Sequence, residues 1–347
     1  MAMEMRVLGA TGMRVSSLCL GTMMFGAMGN RDYKDCVRIM HRAFDAGINF
    51  LDTADVYSRG ESEEIVGQAL KGRRDRVVLA TKFFNPMGED PNMRGGSRLW
   101  IERAVDESLR RLQTDYIDLY QMHRWDAATD IDEVLFTLTE LVRKGKIRSF
   151  GSSMFPADRI VEAQWTADRR GYLPFRCEQS VYSIFNRDIE RFVLPACARY
   201  GMGMIVWSPL DGGFLSGKYK GSNDFAESSR IVTFSKRFTG KFDAESEVIQ
   251  HKLALVAELE KLAQQAGITL AQMAIAFATE HPAVTSAIIG PRVMDHLETL
   301  LDCGEMRLDP ALLDAIDAIC PPGTSANPLT DMPSGTGKET IRRRPGA

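Results

Sequence analysis

The chain has 347 residues, with 43 basic and 46 acidic side chains and a formal net charge of -3. Apolar residues at 44% and charged residues at 26% match ordinary globular proteins, which excludes a disordered, collagen-like or acidic-tail chain. The near balance of charge leaves no basic footprint for nucleic acid or an anionic membrane, so function must reside in a site. Cys19, Cys36, Cys177, Cys197, Cys303 and Cys320 are scattered, with no C-x-x-C pair and no histidine at zinc-ligand spacing; they read as reduced thiols, and no metal is expected. Residues 1–15 carry Glu4 and Arg6 and no apolar signal core, and no uncharged apolar run reaches 18 residues, so a soluble cytoplasmic chain is the expectation.

Segments 6–8 and 13–16 flank a short glycine-containing turn and read as a hairpin able to plug a barrel floor. Eight β-branched or aromatic runs follow, at 19–24, 49–54, 77–82, 117–123, 147–152, 176–181, 204–209 and 285–290. Between them lie amphipathic patterns at 33–46, 61–70, 98–112, 131–144, 157–170, 189–200 and 248–266. Gly47, Gly72, Gly145, Gly171, Gly201 and Gly267 stop six of these helices or follow just after them, as left-handed caps do. Eight βα units with no linker between halves predict an α/β protein: a closed (β/α)8 TIM barrel with an N-terminal β-hairpin and extended loops at its C-terminal face. The expected domain is 1–325 and the tail 326–347. Two excursions stand out: 212–247, a candidate cofactor or substrate flap, and the stretch after Pro321, ending Arg342-Arg343-Arg344, which reads as frayed.

Two glycine motifs fail as nucleotide signatures. Gly201-Met-Gly203 lacks a third glycine and precedes a strand where a dinucleotide fingerprint must follow one. Gly212 to Tyr219 has Walker A spacing but ends in Tyr219 where magnesium binding needs Ser or Thr; its backbone N–H groups and Lys218 can still grip a phosphate.

The chemistry gathers at the carboxyl ends of the second, third and fourth barrel strands. Asp52 closes the second, with Tyr57 five residues on; Lys82 closes the third and His123 the fourth. A barrel makes these ends neighbours around one mouth. Singly they have ordinary readings: a turn cap, a rim aromatic, a surface lysine, a core histidine. Packing does not explain all four together, because unpaired buried charge costs several kcal/mol.

Here the sequence resembles the aldo-keto reductases, closest to the branch that includes potassium-channel β subunits and bacterial reductases. The matches are Gly47-Ile-Asn-Phe-Leu-Asp-Thr-Ala-Asp-Val-Tyr57, Gly60-Glu-Ser-Glu-Glu64, Thr81-Lys82, Asp115-Tyr-Ile-Asp-Leu-Tyr-Gln-Met-His123 and Gly145-Lys-Ile-Arg-Ser-Phe-Gly-Ser-Ser153. Glu178-Gln179, Trp207-Ser-Pro-Leu210, Gly213-Phe-Leu-Ser-Gly-Lys-Tyr219 and Ala287-Ile-Ile-Gly-Pro-Arg292 follow in order, spanning about residues 4 to 325. The resemblance implies a barrel enzyme that reduces an aldehyde or ketone with NADPH. By the same resemblance, Ser153 and Gln179 bind the carboxamide, Trp207 stacks on the nicotinamide, and Ser208, Leu210, Ser216 and Lys218 line the pyrophosphate. Thr22, Met23, Asp52, Met154, Pro209, Gly290, Arg292 and His296 complete the implied cofactor set. Met154 departs from the Asn of many relatives, and Thr299 and Leu300 from a Glu-Asn pair near adenine.

The residues account for that reaction on their own terms. Hydride addition to a carbonyl needs a proton donor, and Tyr57 serves if its pKa, ordinarily about 10, is pulled toward neutrality. Lys82 is expected to do this, held charged by Asp52, while His123 binds the carbonyl oxygen from the other side. Arg292, after the eighth strand and with His296 a turn beyond, suits a ribose 2′-phosphate, hence the preference for NADPH. Phe25, Tyr57, Phe83, His123, Arg124 and Trp125 are expected around an aromatic or oxygenated small-molecule carbonyl substrate, in a monomer or homo-oligomer. Two other classes stay open: a non-catalytic cofactor-binding regulatory subunit, and a Schiff-base lyase using Lys82, which Asp52 opposes by keeping the amine charged.

Overall fold

A computed structural model describes residues 3–226, 229–239 and 242–326. Two three-residue strands, β1 (Met5–Val7) and β2 (Arg14–Ser16), pair antiparallel, with Arg6 opposite Val15. At the turn, Gly9 has φ +50, and a Cβ there would lie 2.4 Å from the backbone nitrogen of Gly203, so glycine alone lets the hairpin seat against the barrel. Leu8 and Val15 are fully buried with Cys19, Phe50, Ala80, Leu119, Cys177 and Ile205, an apolar plug inside the barrel.

Eight parallel strands close that barrel: β3 (Leu18–Gly21), β4 (Phe50–Asp52), β5 (Val78–Phe83), β6 (Ile117–Met122), β7 (Ile147–Ser153), β8 (Cys177–Val181), β9 (Gly203–Trp207) and β10 (Ser286–Ile289). Because β10 returns to β3, with Ile288 beside Cys19, the barrel sheet has no free edge. The helices around it are α1 (Tyr33–Asp45), α2 (Glu61–Ala69), α3 (Arg98–Leu112), α4 (Ile131–Arg143), α5 (Ala157–Arg170), α6 (Val193–Arg199), α7 (Arg230–Thr239), α8 (Glu247–Gln265), α9 (Leu270–Glu280), α10 (Met294–Leu301) and α11 (Pro310–Ile319). The expected (β/α)8 barrel with its hairpin is what forms, and the six expected glycine stops all have positive φ. Side-chain cappers start several helices: Asp32 accepts from the backbone N–H of Lys34 and Asp35, and Ser97 from that of Trp100. Among the described residues, no helix is long and apolar enough to cross a membrane.

Alternation along the strands sorts side chains into two layers. Ala80 and Lys82 of β5 and Leu119 and Gln121 of β6 face the barrel axis; Phe83, Tyr120 and Met122 enter the core between barrel and helices. The six cysteines are free and all buried.

Three sequence expectations need correction. The helix expected over 189–200 is a 3-10 turn at Asp188–Glu190 followed by α6, since Pro195 has no N–H and its ring clashes with a preceding turn, which confines it to the start of a helix. Between β9 and β10 the pattern shows one helix and the structure has three; α9 escapes notice because eight of its eleven residues are buried and it has no polar face. The stretch after Pro321 is docked as far as Ala326: Arg187 N–H donates to Thr324 O at 2.9 Å and Ala326 N–H to Phe185 O at 2.9 Å. The arginines at 342–344 lie outside the described residues.

Candidate active site

The ends of β4 and β5 carry the centre of the site. Lys82 is fully buried, and its Nζ lies 2.5 Å from Asp52 Oδ1, 2.8 Å from Thr53 O and 3.4 Å from Tyr57 Oη. An ammonium has three protons, and here each has an acceptor. Asp52 Oδ2 accepts from Gln121 Nε2 at 3.1 Å and Gln179 Nε2 at 2.8 Å, so its other oxygen is also satisfied. This completeness is what makes a buried ion pair tolerable, because each ion's desolvation costs several kcal/mol. Burial pulls the Lys82 pKa down, but Asp52 and Tyr57 together hold it above its ordinary value, so the ammonium persists.

Tyr57 follows β4 on a turn where Ser58 (φ 49), Arg59 (φ 56) and Gly60 (φ 94) are successively left-handed. For the two non-glycine residues that conformation costs about 1–2 kcal/mol each. Ser58 Oγ helps hold the turn by donating to Phe25 O at 3.0 Å. Gly60 also permits close approach: a Cβ would lie 2.7 Å from Arg111, which ion-pairs with Glu63 at 2.7 Å. The Tyr57 and His123 rings then meet edge to face, centroids 6.0 Å apart, with Tyr57 half-buried at the mouth.

Electrostatics correct one expectation. Burial pushes the Tyr57 phenol up, Lys82 pulls it down, and the balance lies above the ordinary value rather than toward neutrality. Burial also drives His123 well below its usual range, reinforced by Lys82 and Arg124, so its ring is neutral at pH 7. Asn85 Nδ2 faces His123 Nδ1 at 3.0 Å; an amide nitrogen only donates, which leaves the imidazole proton on Nε2.

A second cluster lies beyond β9 and β10. Ser208 (φ 59), Asp211 (φ 44), Gly212 (φ 66) and Gly213 (φ 105) bend the chain into a tight 3-10 loop, Asp211–Ser216. Contrary to the phosphate-cradle expectation, the N–H groups of Asp211, Gly212 and Gly213 are spent inside the loop, on Ser208 O, Ser208 Oγ and Leu210 O. Ser216 Oγ likewise donates to Gly213 O at 2.6 Å. The loop is pinned from below by a buried Lys252–Asp211 pair at 2.5 Å. What it presents is charge. Burial lowers the His296 pKa, and Arg292 and Lys218 lower it further, so two cations act on one neutral imidazole beyond the β9 and β10 ends. Glu298, a possible partner for Arg292, pairs with Arg42 instead.

Other expected residues fall unevenly. Ser153 and Gln179 are paired neighbours on β7 and β8, and Ser153 Oγ donates to Gln179 O at 3.0 Å. Trp207, Ser208, Leu210, Met23 and Met154 are half-buried near strand ends, while Gly290, Lys218, Arg292 and His296 are exposed. Pro209 is buried. Thr22 is fully buried, tied to Ser62 Oγ and Asp52 O, and both Asp52 oxygens are taken, so neither side chain is free for a cofactor. Phe83 and Phe25 are fully buried too; Phe83 faces outward and stacks on Tyr120 at 4.8 Å, since it is one residue out of phase with Lys82. Neither can line a substrate pocket. Arg124 and Trp125 do stand at the mouth, half-buried.

Sequence reasoning missed Gln121, Asn85 and Glu178. Gln121 was legible in principle, two residues before His123 on the same strand face. Asn85 sits in a loop and reaches His123 only through the fold. Glu178 is fully buried and accepts from Ser152 Oγ, Ser180 Oγ and Phe155 N–H; burial raises its pKa to about 7.

Comparison with known proteins agrees with this geometry. The family model for the aldo/keto reductase family matches residues 17–320. The chain is 39% identical over 331 residues to an uncharacterized oxidoreductase YrpG of Bacillus subtilis, covering 92% of this chain and 96% of that protein. It is 35% identical to a probable voltage-gated potassium channel subunit beta of Oryza sativa subsp. japonica (91% and 96% covered) and 34% identical to norsolorinic acid reductase of Aspergillus flavus (84% and 75% covered). With the closed barrel and the Asp52, Tyr57, Lys82 and His123 cluster at its mouth, these matches show that the chain belongs to the aldo/keto reductase family of oxidoreductases.

Proposed function

We propose that the protein reduces an aldehyde or ketone to an alcohol with NADPH, Tyr57 giving the proton. The observation that carries this is the Lys82 ammonium, fully buried yet within hydrogen-bond reach of both Asp52 and the Tyr57 phenol. When bound, the reduced nicotinamide supplies hydride to the carbonyl carbon. The protein's part is the oxygen. His123 Nε2–H and Tyr57 O–H approach it from two sides, the first orienting, the second donating. A phenol held above its ordinary pKa is fully protonated at neutral pH, the state an acid needs. As its proton leaves, the phenolate forms beside the Lys82 ammonium, which stabilises it where it develops.

The residues present fit the cofactor's anionic end. Lys218 and Arg292 both act on the His296 imidazole, and neither cation has a carboxylate partner among the described residues. Arg292 with its guanidinium fork suits the ribose 2′-phosphate, which supports NADPH over NADH. Trp207, Ser153 and Gln179, at the ends of β9, β7 and β8, would hold the nicotinamide end. The test is loss of reduced-cofactor absorbance with a panel of simple aldehydes and ketones, with Tyr57→Phe as control. Cofactor binding without turnover of any carbonyl would favour a regulatory subunit, and borohydride trapping of Lys82 with substrate would favour a lyase.

A further inference from the structure

Arg124 directly follows His123 and is half-buried at the mouth. Its one side-chain hydrogen bond among the described residues runs from Nη1 to His123 O at 2.6 Å, which folds the guanidinium back against the catalytic cluster instead of out into solvent. It makes no ion pair among the described residues. The acidic groups whose charge bears on it are Tyr57 and then Glu178, and the Glu178 carboxyl is already occupied by Ser152, Ser180 and the Phe155 N–H. The guanidinium is close enough to act electrostatically on both Tyr57 and His123. A guanidinium has five N–H donors, and one is in use. Desolvating a cation without a partner is costly, so a site that does so is built to receive an anion.

We propose that the carbonyl substrate carries an oxyanion, a carboxylate or a phosphate, a few bonds from its reacting carbon, and that Arg124 selects it through the donors left free on Nε and Nη2. This rests on the carbonyl-reductase reading and narrows its substrate class. The distance constraint comes from sequence adjacency: a side chain folded back onto the carbonyl of His123 reaches only an anion near the oxygen that His123 binds. Trp125, the next residue, is held edge-on to Phe155 at 5.2 Å with Arg159 over its ring at 5.1 Å.

The experiment compares matched pairs: glyoxylate against its methyl ester, and glycolaldehyde phosphate against glycolaldehyde. For wild type, kcat/KM should favour the anionic member of at least one pair by about 10- to 100-fold, the range expected for a charge-assisted hydrogen bond. The pair that shows it tells carboxylate from phosphate. Arg124→Met should bring that ratio close to one, with the change carried by KM. Arg124→Lys, which keeps the charge but not the fork, should retain part of it. Reading the ratio divides out any general loss from the substitution. A wild-type preference for the neutral member in both pairs overturns the proposal, as does an Arg124→Met variant with an unchanged ratio. If none of the four compounds turns over, calorimetric titration of the NADP+-loaded protein with glycolate and with inorganic phosphate decides the anion site, and the reductase reading itself fails only if the wider carbonyl panel is silent too. Binding of one of them to wild type but not to Arg124→Met supports it; equal binding, or none, overturns it.

Discussion

Replacing Lys82 by Met removes the cation but keeps much of the stem, and the structure sets two magnitudes. Lys82 is fully buried and 2.5 Å from Asp52, whose side chain is 3% exposed, so the variant strands a buried carboxylate. Breaking such a pair costs about 3–5 kcal/mol, even though the two Gln amides remain on Asp52 Oδ2. Neutralising the stranded group should recover part of that: Asp52→Asn with Lys82→Met should be more stable than the sum of the single changes by about 1–3 kcal/mol. The second magnitude is catalytic. At 3.4 Å and an effective dielectric near 20, the Lys82 charge and a Tyr57 phenolate attract by about 5 kcal/mol, a ceiling of about 3–4 pKa units that Asp52 partly cancels. Removing that pull leaves the upward push of burial and Asp52 opposed only by the weaker effect of Arg124. Alcohol oxidation, which needs the phenolate, should therefore show its rise with pH displaced upward by about 1–3 units. Urea titration and pH–rate profiles of the three variants check both. A stability loss below about 1 kcal/mol with strict additivity would refute the buried pair, and an unshifted profile would mean that Lys82 does not tune Tyr57.

Tyr57→Phe keeps the ring and removes the proton donor, so cofactor binding should persist while turnover falls by roughly 10²–10⁴-fold; activity near wild type would show that another group is the acid. Arg292→Ala should weaken NADPH by about 10- to 100-fold in fluorescence titration and leave NADH nearly unchanged, and equal losses would remove Arg292 as the discriminator. Glu178, raised by burial from its ordinary 4.5 to about 7, keeps its proton in the folded chain where the unfolded chain has lost it. Wild-type stability should therefore fall relative to Glu178→Gln as pH rises through this window, the difference complete above about pH 7 and at most about 3 kcal/mol. Urea titrations at pH 5 and pH 8 test this; a pH-independent difference would mean that the folded-state carboxyl is not raised.

The eight strands, the hairpin and the positions of Asp52, Tyr57, Lys82 and His123 were legible in the chain because their signals are local: β-branched runs, glycine stops and polar residues closing apolar strands all act within one element. What stayed hidden depended on which elements meet. Phe83 and Lys82 are adjacent in sequence, and only the pleat of a closed barrel sends one to the helix layer and the other to the axis. Helix α9 lost its periodic pattern because it is covered on nearly every side. Gln179 and Gln121 come from β8 and β6 to a carboxylate on β4, and Asn85 reaches His123 from another loop. The chemistry of Asp52, Tyr57, Lys82 and His123 can be named from residue type, but the direction of the Tyr57 shift cannot, because burial, a property of the assembled barrel, outweighs the neighbouring lysine.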